Sequence, residues 1–287
     1  MNPNRKIVSF VAIALMTVTA VAQTPDTVFL EELTWVEVRE LIDGGKTVVI
    51  IPTGGTEQNG PHMLLGKHNK IIRHNAEQMA RRLGNALVAP VLQYVPEGDY
   101  DRPGYGDKPG VITNPTPTFT KVLESAARSL EAHGFEDILI IGDSGGNQAG
   151  MEAAAEAVNH DWDRTGSRAF ALRDYYAVGG DNYRAWMLAR FGYDQATVGG
   201  HAGISDTSQV LAIYPEGIRR SKLAPLGGNP DAGVSGDPTK ASAEIGRMGL
   251  EFKINAGLAQ YRSMKNPPRG RGGRGGRGGR GGRGGPP

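Results

Sequence analysis

A short run of β-branched residues, VVII at positions 48–51, is followed directly by Pro52 and Gly54. This pattern is typical of a buried strand that ends in a loop. Further strands are predicted at residues 86–92, 138–141 and 168–175, and helices at residues 35–42, 69–83, 119–133, 148–158, 182–191, 206–213 and 240–261. Because helices and strands alternate, we expect a mostly parallel sheet with helices on both faces.

The loop after the first predicted strand is rich in polar side chains. Glu57, Asn59, His62 and His68 all lie within it. Open α/β sheets place their ligands beyond the carboxyl ends of their strands, so this loop is the first candidate for a functional site. The chain has no cysteine, so any metal ion here must be held by oxygen and nitrogen atoms.

This loop resembles the signature of the creatininase (creatinine amidohydrolase) family. Residues 52–68, PTGGTEQNGPHMLLGKH, are similar to the family pattern P-x-G-x-x-E-Q-H-G-P-H-L-P-L-G-x-D. Three later segments extend the resemblance in the same order: GDSGGN at 142–147 resembles N-G-H-G-G-N, GGHAGISDTS at 199–208 resembles G-H-A-G-x-x-E-T-S, and GVSGDP at 233–238 resembles G-V-x-G-D-P. The resemblance covers about residues 30–262, and by it the chain is identified as a member of the family.

The resemblance implies a three-layer α/β/α fold with a mostly parallel central sheet. It also implies frequent assembly into hexamers and a divalent metal ion, zinc or manganese. In such a site the metal activates water against the carbon–nitrogen bond of a small cyclic or linear amide. The expected activity is therefore that of an amidohydrolase acting on non-peptide carbon–nitrogen bonds.

Several residues depart from the family pattern at positions that hold metal. Glu57 is retained as the first ligand, but Asn59 stands in place of a histidine and His68 in place of a bridging aspartate. Ser144 replaces the histidine of the second segment, and Asp206 replaces the glutamate of the third. Losing the bridging carboxylate removes negative charge that would hold two cations together, so we expect one metal ion per chain.

Two interpretations follow from these exchanges. In the first, the site is rebuilt around one metal ion held by Glu57 and His68, with Asp143 or Asp206 as third ligand or as base, since three protein ligands suffice for a catalytic zinc. In the second, the chain is a catalytically inactive, oligomeric binding protein. Among the other residues, His201 is expected to shuttle a proton or polarise the carbonyl, Asn59 to orient water or substrate, and His62 to contact substrate.

A third interpretation makes Ser144 a nucleophile. The segment GDSGG at 142–146 joins a predicted strand to a helix, and His201 and Asp206 would serve as base and orienting acid. The same letters occur in trypsin-like proteases, but those are all-β proteins with disulfides, which the alternation here excludes.

The two ends of the chain have compositions of their own. Residues 1–22 read as a signal peptide, because Arg5 and Lys6 precede an apolar run that ends in Ala-Val-Ala, and they predict a secreted or periplasmic protein with no membrane span after cleavage. Residues 266–287 form an Arg/Gly-rich tail with six arginines, expected to be disordered and to bind anionic polymers. The domain between them is predicted to span residues 23–265.

Overall fold

The computed structural model describes residues 25–99, 108–162, 166–225 and 233–267. The predicted signal peptide and nearly all of the predicted tail lie outside these residues. The strands are β1 Val48–Thr53, β2 Ala86–Val88, β3 Asp137–Gly142 and β4 Arg168–Ala171. The helices are α1 Trp35–Asp43, α2 Lys67–Leu83, α3 Thr116–Ala132, α4 Asn147–Asp161, α5 Asp174–Phe191, α6 Gln195–Val198, α7 Ile204–Ile213 and α8 Ala243–Lys265.

The four strands form one parallel sheet in the order β2-β1-β3-β4. Every residue of β1 and β3 is buried, which is why both strands read as continuous apolar runs. One face of the sheet packs against α2 and α8, and the other packs against α3 and α4. The three-layer α/β/α arrangement predicted from the sequence is therefore confirmed.

The boundaries of several elements differ from the prediction. The strand predicted at 86–92 ends at Val88, because Pro90 has no amide hydrogen to donate to a neighbouring strand. The strand predicted at 168–175 ends at Ala171, and α5 begins at Asp174 rather than at residue 182. Tyr175, expected in the strand, instead points from the first turn of α5 into the core.

Two local contacts fix segments that flank the main elements. Gly203 is the N-cap residue of α7, and Asp206 lies inside the first turn of that helix. Before α1, Val28 is buried and its carbonyl accepts a hydrogen bond from the amide of Val88 at 2.7 Å.

The order of the strands places the candidate site. The chain runs outward from β1 to β2 in one direction and to β3 and β4 in the other, so the connections diverge between β1 and β3. In parallel α/β sheets this divergence opens a crevice beyond the carboxyl ends of the strands. Within the part of the chain that the structure describes, no helix is both long and apolar enough to cross a membrane.

Candidate active site

Side chains that follow β1 and β3 meet in this crevice through a histidine. Nε2 of His68, in the first turn of α2, lies 2.8 Å from Oε1 of Glu57, and its Nδ1 lies 2.7 Å from Oδ2 of Asp143. All three residues are buried. The family resemblance had grouped these residues into one predicted site, and the structure brings them together because β1 and β3 are neighbours in the sheet.

The two carboxylates determine the charge of His68. Burial and the nearby Lys67 charge would lower its pKa, but hydrogen bonds to Asp143 and Glu57 raise the pKa of His68 to about 9. For Glu57, burial would raise the pKa, but the Lys67 ammonium and His68 lower it to about 2. In the metal-free protein at neutral pH, His68 is therefore a buried imidazolium between two carboxylates.

Lys67 is a second cation in the same cluster. Its ammonium lies 2.6 Å from Oδ2 of Asp206 and 3.1 Å from Oε1 of Glu57, and the residue is 1% exposed. Asp206 also accepts a hydrogen bond from the amide of Ala202 at 2.9 Å. Burial opposes the charged form, but the two carboxylates raise the pKa of Lys67 further, so this ammonium stays charged.

Asp143 is held from several sides. Its Oδ1 accepts hydrogen bonds from Nζ of Lys253 at 2.7 Å and from the hydroxyl of Tyr175 at 3.1 Å, while its Oδ2 faces His68. Burial would raise its pKa, but Lys253 and His68 lower the pKa of Asp143. Asp143, which the sequence suggested as a third metal ligand, thus lies on the side of His68 that faces away from Glu57.

Glu97, rather than Asp143, completes the group of three candidate metal ligands. One carboxylate oxygen each of Glu57 and Glu97 and one ring nitrogen of His68 all lie within 4.8 Å of one another. Oε2 of Glu97 accepts a hydrogen bond from Oγ of Ser144 at 3.0 Å, and its buried Oε1 has no hydrogen-bond partner among the described residues. Burial raises the pKa of Glu97 to about 7.

Glu97 was not among the predicted site residues, because no recognisable motif surrounds it in the sequence. Its closeness to Gly55 appears only in the structure, where a Cβ atom at position 55 would lie 1.7 Å from Oε1 of Glu97. A residue with a side chain at position 55 would therefore displace this carboxylate.

An open cleft of about 360 Å³ adjoins the cluster. It is lined by Tyr176, Gly199, Gly200, His201, Asp206 and Lys253, among others. His201, Asp206 and Lys253 each contact a buried charged residue of the cluster, with Nδ1 of His201 lying 3.7 Å from Oε1 of Glu57. A substrate in the cleft would therefore reach the charged residues through these three side chains.

The shorter of two contacts made by Nε2 of His201 indicates its tautomer. Nε2 lies 2.8 Å from the backbone carbonyl oxygen of Gln58, which can only accept a hydrogen bond, and 3.2 Å from the side-chain nitrogen of the same residue. Burial and the Lys67 charge lower the pKa of His201, so the ring is neutral at neutral pH. We assign the ring hydrogen to Nε2 on this basis, which leaves Nδ1 as the basic nitrogen.

Asn59 and His62, which were also predicted as site residues, do not line the cleft. Asn59 is fully buried, and its amide donates to the carbonyl oxygens of Glu57 and Leu64 in its own loop. His62 is also fully buried, with Nε2 at 3.0 Å from Oγ1 of Thr207, and it is not among the residues that line the cleft. Both residues therefore shape the loop rather than face the space where a substrate would lie.

The predicted serine nucleophile is not assembled. Ser144 has one hydroxyl hydrogen, which it donates to Glu97, and the carboxylate of Asp206 binds Lys67 and a backbone amide. A serine triad requires the hydroxyl to donate to the histidine and the acid to orient that histidine. The arrangement of Ser144, His201 and Asp206 gives this interpretation no support.

The fold and the cluster define a three-layer α/β/α protein with a carboxylate–histidine site at the carboxyl ends of its parallel strands. The family model of creatininase, described as creatinine amidohydrolase, matches residues 31–259. The chain belongs to the creatininase family.

Named relatives of this family are hydrolases. The chain is 26% identical over 203 residues to creatinine amidohydrolase of Pseudomonas putida, covering 66% of this chain and 73% of the relative. It is 26% identical over 230 residues to the mycofactocin precursor peptide peptidase of Mycolicibacterium smegmatis, covering 72% of this chain and 81% of the relative. These relatives support a hydrolytic activity for this chain.

Solved structures support the fold. A crystal structure of creatininase matches with a TM-score of 0.69 and 23% identity over 85% of this chain and 100% of that one. A structure named "Creatininase Mn" matches with a TM-score of 0.68 and 23% identity over 84% and 100%. A variant creatininase of "Zn-Zn type" matches with a TM-score of 0.67 and 22% identity over 85% and 100%.

The donor atoms in this chain fit one divalent metal ion. Glu57, His68 and Glu97 supply two carboxylates and an imidazole, which is a ligand set that catalytic zinc accepts. The bond from Nδ1 of His68 to Asp143 is the contact that commonly orients a metal-bound histidine. The buried Oε1 of Glu97, which no described group satisfies, is a further reason to expect a cation beside it.

Proposed function

We propose that the chain is a hydrolase that cleaves the carbon–nitrogen bond of a small amide with one divalent metal ion, zinc or manganese, held by Glu57, His68 and Glu97. The observation that carries this proposal is the group of three donors beside a cleft, with one buried Glu97 oxygen lacking a described partner. Such an ion lowers the pKa of water and polarises a carbonyl group.

The protein's own residues would position and protonate the reactants. Asp143 holds the ring of His68 so that Nε2 faces Glu57, and Ser144 holds Glu97 through its Oε2. Nδ1 of His201 accepts a proton from the attacking water and returns it to the leaving nitrogen. His201 is assigned this role rather than carbonyl polarisation, because its N–H group is already bound to Gln58.

The size and lining of the cleft support a small-molecule substrate. A volume of about 360 Å³ accommodates a small molecule, and Gly199 and Gly200 leave backbone exposed on one wall. We propose cyclic and linear amides, with creatinine and short peptides as the first compounds to screen, since relatives are named for both kinds of reaction.

Metal content tests the proposal most directly. We expect elemental mass spectrometry to find about one zinc or manganese ion per chain. Glu57→Gln and His68→Gln should each lose this ion. Their activity should fall by at least about 1,000-fold, since metal catalysis supplies several kcal/mol. Arg82→Gln, on the exposed surface of α2, is the matched control and should keep both. A wild-type protein that takes up neither metal on reconstitution contradicts the proposal.

A second candidate is a metal-free, non-catalytic binding protein. It is favoured by one observation, namely that both ring nitrogens of His68 already face carboxylates, so the cluster is internally satisfied when His68 is protonated. In that case the wild type would bind ligands in the cleft without turnover, and metal addition would change neither binding nor stability.

The remaining expectations concern the ends of the chain and its assembly. We propose export to the periplasm or beyond, assembly into a homo-oligomer, and attachment of the tail to anionic polymers. The six tail arginines supply the charge for such attachment, whereas residues 23–268 carry a net charge of −6. Deleting residues 266–287 should abolish retention on dextran sulfate at low salt and leave amide hydrolysis unchanged. Equal retention of both forms would contradict this role.

A further inference from the structure

Lys67 is a buried cation whose partners belong to the candidate site. Its ammonium contacts Oδ2 of Asp206 at 2.6 Å and Oε1 of Glu57 at 3.1 Å, and its side chain is almost completely enclosed. Burying an ammonium costs several kcal/mol unless carboxylates compensate it, so these two contacts fix its position. Lys67 is the first residue of α2, directly before His68, so the helix holds both cations beside Glu57.

Glu57 separates two parts of the cluster. Its Oε1 faces His68 on one side, toward Glu97, and it faces Lys67 and His201 on the other, toward Asp206. The first part contains the donors that fit a divalent ion. The second part is occupied by the Lys67 ammonium.

The groups around this ammonium are themselves metal-type donors. The carboxylates of Glu57 and Asp206 contact it, and Nδ1 of His201 lies 3.7 Å from the same Glu57 oxygen. Among the described residues, three such donors lie within 4.8 Å of one another only at Glu57, His68 and Glu97, so a second ion would have to draw Asp206 and His201 closer to Glu57. The ammonium of Lys67 stands between the two carboxylates that such an ion would use.

The charges of the cluster favour a single divalent ion. Among the described residues, four carboxylates and two lysines contribute: Glu57, Glu97, Asp143, Asp206, Lys67 and Lys253. The two lysines leave two negative charges, which one divalent ion balances with His68 neutral. A second ion would add two uncompensated positive charges in a buried environment, which is strongly unfavourable.

We propose that Lys67 is a resident cation that takes the place of a second divalent ion, so that the site binds one metal ion per chain. The inference rests on the proposed function in one respect, namely that Glu57, His68 and Glu97 hold the first ion. It assigns to Lys67 the role of a positioning residue, because it fixes Glu57 and Asp206 without itself reaching into the cleft lining that the structure describes.

The test is the number of metal ions bound by the full-length mature chain. After reconstitution with zinc or manganese and removal of excess metal, we expect about one ion per chain in the wild type and about two in Lys67→Met. Adding Asp206→Asn to Lys67→Met should return the number to about one. Lys253→Met is the control, since it removes another ammonium of the cluster, with a side chain 11% exposed against 2% for Lys67, that contacts Asp143 instead of Asp206.

The outcomes separate the inference from the proposed function. One ion in both the wild type and Lys67→Met overturns the role of Lys67 and leaves the metal-dependent function standing. No ion in the wild type but one in Lys67→Met contradicts both the metal-dependent function and the inferred count of one ion per wild-type chain. No ion in either protein overturns both, and a second ion in Lys253→Met shows that net charge, not the position of Lys67, sets the number.

Folding of the variants is checked separately. Circular dichroism and thermal unfolding should show that Lys67→Met remains folded, and Lys67→Gln offers a polar replacement if it does not. The wild-type protein provides a test that needs no variant, because two ions bound per wild-type chain would overturn the inference.

Discussion

The two ends of β3 carry similar chemical groups with different surroundings. At the carboxyl end, Asp143 accepts hydrogen bonds from Tyr175 and from Lys253 of α8. At the amino end, Asp137 binds the hydroxyl of Tyr261 at 2.5 Å and the ammonium of Lys265, both also on α8. Each end thus has a buried aspartate held by a tyrosine and a lysine.

The difference lies in what each aspartate connects to. Asp143 also binds His68, and through it Glu57 and the residues around the cleft. The contacts described for Asp137 end at Tyr261 and Lys265, whose side chain is 44% exposed. Both aspartates contact titratable side chains, but Lys253, a partner of Asp143, lines the cleft, whereas Tyr261 and Lys265 do not. A neighbouring cavity, rather than burial alone, marks the Asp143 end as the functional candidate. The Asp137 group holds β3 to α8 and serves stability.

Replacing His201 should produce the largest difference in catalytic rate between variants at the two ends of β3. We expect His201→Gln to lower kcat by about 100- to 10,000-fold, because Nδ1 of His201 is the proposed proton acceptor, and to leave metal content unchanged. Tyr261→Phe, at the opposite end of β3, should keep kcat within about threefold. The measurement is steady-state hydrolysis of the best amide found in screening. A loss of metal in His201→Gln would instead place His201 among the ligands.

Matched substitutions of the two aspartates should separate their roles. Asp143→Asn weakens the orientation of His68, so metal affinity should fall by about 10- to 100-fold. Asp137→Asn should leave metal affinity unchanged and lower the free energy of unfolding by about 1–3 kcal/mol, the usual cost of weakening a buried hydrogen-bonded group. Metal titration and urea unfolding measure the two quantities. Equal metal affinities in the two variants would contradict separate roles for Asp143 and Asp137.

The pH dependence of stability should arise at the carboxyl end. In the metal-free protein the pKa of His68 is raised from 6.5 to about 9, and that of Glu97 from 4.5 to about 7. Both groups bind more protons in the folded than in the unfolded state, so stability should fall as pH rises through these ranges. The His68 shift corresponds to a decrease in melting temperature on the order of 10 °C toward pH 9.

The control for this prediction uses the same two ends of β3. His68→Gln should reduce the slope of melting temperature against pH, whereas Asp137→Asn should lower the melting temperature without altering the slope. Differential scanning calorimetry on chelator-treated protein measures both. An unchanged slope in His68→Gln would show that other groups dominate the titration.

The sequence predicted those parts of the molecule that depend on local pattern. The buried strands β1 and β3 were recognisable from continuous apolar runs, and the family resemblance, not strand order, grouped Glu57, His68 and Asp143 into one predicted site. Strand 168–175 was predicted too long, because Tyr175 is apolar enough for a strand but is buried as part of a helix. Local propensity could not distinguish these two ways of burying the same ring.

The missed parts depend on contacts between distant segments. Glu97 reaches the site from a loop without a motif, and its closeness to His68 is visible only when β1 and β3 are assembled. Nothing in the sequence singles out Lys67, which precedes the helix predicted at 69–83, yet Asp206, 139 positions later in the chain, makes it a buried ion pair. A sequence pattern shows which residue types are present but not which charges face one another.

The buried ion pair of Lys67 supplies the site with a cation that is covalently part of the chain. A metal ion can be removed by a chelator or lost by dilution, whereas an ammonium on the protein chain cannot dissociate. Part of the positive charge that holds Glu57 and Asp206 together is therefore present in every folded molecule. Asp206, which lines the cleft, therefore keeps this electrostatic support whether or not a metal ion is bound nearby.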